Sequence, residues 1–180
     1  HHRHAFLSEE AALAQLHEND LVIMVDHHVP AQSTGSKLIE AAGKIIVIDH
    51  HRRSEGFVDG PLITYLESGA SSACELMTEM LSYQPNRVDI SDEEATIMYL
   101  GIVVDTKRFK MRTGSRTFEA AAALKKLGAD PIVTETILSE RYEQFEEKTS
   151  ISKYAKLYRG KFMIAAVKED MYPSRTLMAQ

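Results

Sequence analysis

The chain has 180 residues, 44% of them apolar, with a formal net charge of -5 and a pI near 5.9. That is enough for one substantial core and the start of another, and the acidic balance excludes a general electrostatic grip on duplex DNA. A single cysteine, Cys74, excludes an internal disulfide and a cysteine-based zinc site and suits a reducing, cytosolic setting. No apolar run approaches the roughly 18 residues of a membrane span, and no signal-peptide pattern opens the chain. His1, His2 and His4 carry no functional reading.

Residues 8–13 (SEEAAL) open the first element. Ser8 can cap a helix and Glu9 and Glu10 suit its positive end, so an amphipathic helix is predicted that ends near residues 17–19. Residues 21–25 (LVIMV) are wholly apolar and β-rich. They predict a strand covered on both faces of a parallel sheet, with Asp26 at its carboxyl end. A polar loop with Pro30, Ser33 and Gly35 leads to a short helix over 36–42, then Gly43, then a second apolar strand over 45–48 that stops at Asp49. Strand, helix, strand is the unit of right-handed parallel sheets. Residues 62–66 (LITYL) predict a third strand.

Three longer helices follow. One is predicted over 70–83, with Ala73, Leu76, Met77 and Met80 at core spacing. The next runs from the capping box Ser91-Asp92-Glu93-Glu94 to about Asp105. Another covers 115–127, starting on a Ser115 cap and stopping before Gly128. An Ala-Asp-Pro helix start at 129–131, a charged helical stretch over about 140–157 and a late strand over 162–167 complete the pattern. The fold class expected is α/β: a Rossmann-like open, mainly parallel sheet flanked by helices.

In such a sheet, ligands bind beyond the carboxyl ends of the strands. Two apolar runs here end in the same triplet, Asp26-His27-His28 and Asp49-His50-His51. Neighbouring parallel strands lie roughly 4.8 Å apart, so side chains at their ends can share one ion. The second triplet continues into Arg52-Arg53, packing a carboxylate, two imidazoles and two guanidiniums into the mouth of the sheet. A divalent cation bound by carboxylate and imidazole, with an anionic substrate facing the arginines, satisfies both sets. Strand ends and turns are commonly polar, and one triplet would mean no more than that; two at strand ends point to a metal site. Asp105 follows the apolar run 102–104 at a helix end. On its own it is as much a surface or capping carboxylate as a ligand.

Five motifs occur in order along nearly the whole chain: VDHH at 25–28, IDHHRR at 48–53, ESGASSACEL at 67–76, GIVVDTKRF at 101–109 and RTGSRTFEAA at 112–121. Together they resemble the DHH phosphoesterases, and within that superfamily the cyclic-di-AMP phosphodiesterases of the GdpP type. The resemblance implies a hydrolase with two metal ions, usually Mn2+, that opens cyclic-di-AMP to linear pApA. It implies that Asp26 bridges the metals, His50 and Asp105 ligate the second, His51 contacts the scissile phosphate, and Asp49 orients the triplet from behind. Two such metals, about 3.5–4 Å apart, activate a bridging water and neutralise transition-state charge. Arg52, Arg53 and Arg116 are candidate phosphate or base contacts, against the commoner fate of a surface arginine, a salt bridge. Ser71 and Ser72 are candidate phosphate-binding residues at a helix start, against simple caps. His27 and His28 are read as loop residues near the site.

The resemblance also implies a cyclic dinucleotide as partner, no duplex nucleic acid, no membrane contact by this chain and, since family members often pair, a homodimer as an open state. The implied location is cytoplasmic, within a bacterial parent anchored in the cell membrane. One departure stands out: the family's first metal motif, His-x-x-x-Asp-x-Asp, has no counterpart, because the chain contains no Asp-x-Asp. The first metal site is therefore expected to be incomplete. The expected organisation is a DHH domain over 1–139 lacking its first strand and first metal motif, a connecting helix over 140–160, and the beginning of a substrate-binding subdomain over 161–180. That is the central fragment of a catalytic module, whose activity in this form is an open question. Alternatives within the superfamily are an oligonucleotide or nucleotide phosphatase or a pyrophosphatase. An alternative of another class is a metal- or nucleotide-binding module without turnover.

Overall fold

The computed structural model of the protein describes residues 6–86, 88–139, 146 and 149–166. The chain divides into two compact units between Thr134 and Glu135. In the first unit, β1 (Val22–Val25), β2 (Ile45–Asp49) and β3 (Ile63–Leu66) form a parallel sheet in that spatial order. The register sets Val22 opposite Ile45 and Asp49 opposite Leu66, so β1 and β2 end level with one another. Around the sheet lie α1 (Glu9–Gln15), α2 (Ser36–Ala41), α3 (Ala73–Ser82), α4 (Asp92–Asp105) and α5 (Ser115–Lys126), followed by α6 (Pro131–Ile137). The α/β architecture with a parallel sheet is the one the sequence predicts.

The helix ends follow from local chemistry. Ser8, Ser72 and Ser91 each accept a backbone N–H of the first turn, and Glu94 returns a bond to the Ser91 N–H, completing a capping box. The expected Ser115 cap is displaced by one residue: Gly114 caps α5, its N–H donating to Thr117 Oγ1 at 3.0 Å. At the other end of α5, Ala129 N–H reaches Leu124 O while Gly128 takes φ 104°, a left-handed stop that favours glycine.

The core has one layer on each side of β2. Met24, Ile39, Ile45, Val47 and Val58 join β1 and β2 to α2 on one face. Ile48, Ala70 and Leu76, with Ile46, Met77 and Met80 against them, join β2 to α3 on the other. β1 departs from expectation here. Met24 is buried, but Ile23 and Val25 are exposed, whereas β2 is covered by α3. A third cluster, Ala95, Ile102, Ala120, Leu124 and Ala129, locks α4 to α5.

In the second unit, β4 (Ala155–Tyr158) and β5 (Phe162–Ala165) form an antiparallel hairpin. The helix expected through residue 157 is thus corrected at its end, where Ala155–Tyr158 is strand. Arg159 and Gly160 both take positive φ, the turn that suits a twisted hairpin, and this reversal lets 155–158 pair forward with 162–165. Most of residues 140–148, and Val167, lie outside the described residues. Among the described residues no helix is long and apolar enough to cross a membrane.

Gly101 on α4 faces Cys74 on α3, and a Cβ there would overlap Cys74 Sγ. Gly101→Ala is expected to destabilise the fold, since an overpacking cost of roughly 1–3 kcal/mol opposes the ~1 kcal/mol that alanine gains in a helix. In a Cys74→Ala background the same substitution should be neutral or stabilising. Urea unfolding of the two single variants and the double variant checks this; additive effects would mean that the two helices do not meet at this point.

Candidate metal centre

The site begins at the ends of β1 and β2. Asp26 N–H donates to Ile48 O at 3.0 Å, extending the ladder by one bond, and Asp26 itself takes φ 67°. An aspartate tolerates this left-handed turn better than most residues, and the turn sets its carboxylate at the mouth of the sheet. On β2 the alternation of a strand sends Asp49 and His50 to opposite sides. Asp49 meets His28, whereas His50 turns to the α3 side, its Nδ1 3.4 Å from Ala70 O.

A carbonyl can only accept, so the His50 ring donates from Nδ1 and turns its Nε2 to the site. That atom lies 3.2 Å from Asp26 Oδ1 and 3.8 Å from Asp105 Oδ2, brought in by the last residue of α4. Burial raises the Asp105 carboxyl above its ordinary range, and the Asp26 charge raises it further. One imidazole nitrogen and two carboxylate oxygens therefore converge at this point. Asp26, His50 and His51 each offer a ligand atom, all within 4.8 Å of one another. Carboxylate and imidazole donors in this number suit a divalent ion such as manganese or zinc, so the residues present fit the metal that the sequence implies.

Asp49 lies behind this group and is fully buried. Its Oδ2 is 2.6 Å from His28 Nδ1, while its Oδ1 takes the His51 ring at 2.7 Å and the His51 backbone N–H at 3.1 Å. Burial is the largest single influence on this carboxyl and pushes it up. The hydrogen bonds from His28 and His51 together outweigh burial and hold it below the ordinary aspartate range.

A cleft of about 510 Å³ opens beside the cluster, lined by His50, His51, Arg52, Gly69, Arg112 and Gly114 among others. Arg112 is a site residue that the sequence reading passed over, although it opens the quoted RTGSRTF stretch. It occupies a left-handed conformation, φ 53°, and its charge acts on Asp105.

The remaining candidates lie elsewhere. Arg53 stacks over the Phe57 ring at 4.1 Å. Ser72 caps α3, and Ser71 donates both its N–H and its hydroxyl to the buried Glu75 carboxylate, which Thr117 also reaches at 2.8 Å. Arg116 forms a two-pronged pair with Glu79, both contacts at 2.6 Å. His27 donates to Val25 O, leaving its Nε2 buried without a partner. Burial, with the charges of Asp105 and Asp26, pushes the Cys74 thiol up to about 11, which disfavours its reactive thiolate form at neutral pH.

Comparison with known proteins gives three findings. The pattern of the DHH family, N-terminal domain, matches residues 2–102. The chain is 40% identical over 177 residues to cyclic-di-AMP phosphodiesterase GdpP of Bacillus subtilis, covering 97% of this chain and 27% of that protein. It is 40% identical over 174 residues to cyclic-di-AMP phosphodiesterase PdeA of Listeria monocytogenes, covering 97% and 26%. The chain thus spans about a quarter of the length of these relatives. Among solved structures, an exopolyphosphatase-related protein from Bacteroides fragilis superposes with a TM-score of 0.70 at 22% identity, over 84% of this chain and 44% of that one, a likeness of fold.

The Glu79–Arg116 pair gives a stability prediction. The hydrogen bond from Arg116 is the largest influence on Glu79 and lowers its carboxyl, so the pair stabilises the fold above the ordinary glutamate range. That contribution disappears as pH falls through the lowered value. Both side chains are partly exposed, so Glu79→Gln should cost roughly 1 kcal/mol at pH 7. Urea unfolding at pH 7 and at pH 3 is the measurement, and the gap between the two proteins should close at the acid end.

Proposed function

The chain belongs to the DHH family, and from that premise we propose that its site is that of a manganese-dependent phosphodiesterase that opens cyclic-di-AMP to linear pApA. The observation that carries this reading is the convergence of Asp26, His50 and His51 within 4.8 Å, with Asp105 3.8 Å from His50. The names of the relatives from Bacillus subtilis and Listeria monocytogenes supply the substrate class.

In this reading Asp26, His50 and Asp105 would hold the metal. When bound, the metal supplies Lewis acidity: it acidifies a water to a nucleophile and offsets charge on the phosphoryl oxygens. The protein's own groups do the rest. His50 turns its Nε2 to the site because its other nitrogen faces Ala70 O. His51, its Nδ1 held by Asp49, has Nε2 left to meet metal or phosphate. Arg52 and Arg112 give the adjoining cleft a cationic wall for an anionic substrate. Ser71, Ser72 and Arg116 then act at one remove, by fixing α3 and α5 rather than by touching substrate. The same reading places the chain in the cytoplasm, as the catalytic part of a membrane-anchored parent.

The test is manganese-dependent hydrolysis of cyclic-di-AMP, with linear pApA and pyrophosphate as controls. Cyclic-di-AMP should be the preferred substrate; preference for pyrophosphate or for linear pApA would reassign the reaction within the superfamily. His50→Ala should lower turnover by about 100-fold or more, beyond what loss of an outer partner costs. In manganese titrations Asp26→Ala should lose most of the affinity and His50→Ala one ion. Binding by both variants equal to that of the parent chain would show the ligand assignment to be wrong.

A further inference from the structure

We propose that His28 is a positioning residue of this site, fixing the ring of His51 through Asp49. The proposal rests on the reading of His51 as part of the metal centre, and extends it to a residue that nothing else assigns. His28 is 3% exposed and sits on the loop that leaves β1, two residues after Asp26. Its Nε2 accepts the Ser54 backbone N–H at 3.1 Å and lies 2.9 Å from Ser54 Oγ. A backbone N–H can only donate, so that nitrogen carries the lone pair and the ring proton is on Nδ1. The Nδ1–H therefore points at Asp49 Oδ2, 2.6 Å away.

Asp49 passes the constraint on. A carboxylate accepts and does not donate, so the His51 ring facing Oδ1 must also carry its proton on Nδ1. Its Nε2 is then the nitrogen left for the site. Ser54, His28, Asp49 and His51 thus form one connected line in which Ser54 donates to His28 and both imidazoles, His28 and His51, donate to the Asp49 carboxylate between them. Packing holds the line in place: Phe57 lies 5.2 Å from the His28 ring, Arg53 covers Phe57, and Val58 N–H bonds to His28 O. Without a donor at the His28 position, Oδ2 would be buried and unpaired, a loss large enough to turn the carboxylate towards water. The grip on His51 would go with it.

The test uses three variants of the whole chain. His28→Asn keeps an N–H donor near the Nδ1 position, His28→Gln moves it outward to the Nε2 position, and His28→Phe keeps a packed ring without a donor. Long-range 1H–15N correlation spectra of the metal-free protein report each histidine's tautomer. They should show Nδ1–H for both His28 and His51 in the parent chain. His51 should keep that form in His28→Asn and fall to a mixed population in His28→Gln and His28→Phe. Manganese alone, titrated by electron paramagnetic resonance, should bind about 10- to 100-fold more weakly to the latter two, with most of the loss recovered in His28→Asn.

Thermal melts separate folding from positioning. If His28→Phe does not fold, the Asn and Gln variants decide between them. Equal behaviour of Asn and Gln, or an Nε2–H form of His28 in the parent chain, would overturn the proposal. Failure of the parent chain to cleave any phosphodiester while the tautomer coupling holds would instead count against the phosphodiesterase reading.

Discussion

The Asp49 carboxylate, with no exposed surface at the end of the central strand, is the constraint around which the site is organised. Taking a charge out of water costs several kcal/mol unless it is fully hydrogen-bonded. Here three donors meet it, two from His51 and one from His28. Each donor belongs to a segment that would otherwise be free to move: the loop after β1, and the turn after β2. Satisfying one carboxylate therefore fixes both strand exits at once. The candidate metal cluster lies immediately on the far side of that knot, with His50, the next residue along the chain, on its inner wall.

Asp105 reaches the same place by a separate route. It is the final residue of α4, and α4 approaches α3 closely because Gly101 has no Cβ to meet Cys74. Immediately beyond, the buried Thr106 donates its hydroxyl to Ile102 O and accepts the Phe109 N–H, closing the helix. Lys107, Arg108 and Phe109 then take three consecutive positive φ values. Such a left-handed run costs roughly 1–2 kcal/mol per residue in isolation. The Thr106 bonds and the stack of Phe109 on Phe118, centroids 5.4 Å apart, offset it. The result is a reversal that carries the chain from Asp105 to Arg112 at the adjoining cleft within seven residues.

What could be read from the sequence was what lay along the chain. Uninterrupted apolar runs ending in Asp marked β1 and β2, and parallel strands must end side by side, so Asp26 and His50 could be brought together without coordinates. Serine caps and Gly128 likewise fixed helix ends by local chemistry. What escaped depends on distant segments folding back. His28 is a loop residue, as its sequence suggests, but its bond to Ser54, 26 residues on, could not be read there. Arg116 read as a substrate contact because Glu79 lies 37 residues away. The exposure of Ile23 and Val25 was hidden in a run that composition alone assigns to a fully covered strand. The strand at 155–158 was hidden in a charged stretch, since its pairing depends on a turn at Arg159-Gly160 rather than on its own pattern.

The polar groups fall into two kinds, and the difference between them argues for the metal centre more strongly than any single distance. Glu75 and Asp49, both buried, have donors assigned from their own surroundings, and Glu79, half-buried, is gripped by Arg116. Asp26 and Asp105 are unlike them. They share one imidazole edge, and the charge of one adds to the burial that raises the carboxyl of the other. Water reaches both, with side chains 53% and 34% exposed, so the fold is under no burial pressure to bring them together. It nevertheless sets them on one imidazole, beside a cleft with arginines on its wall, where a cation would turn a mutual repulsion into a shared bond.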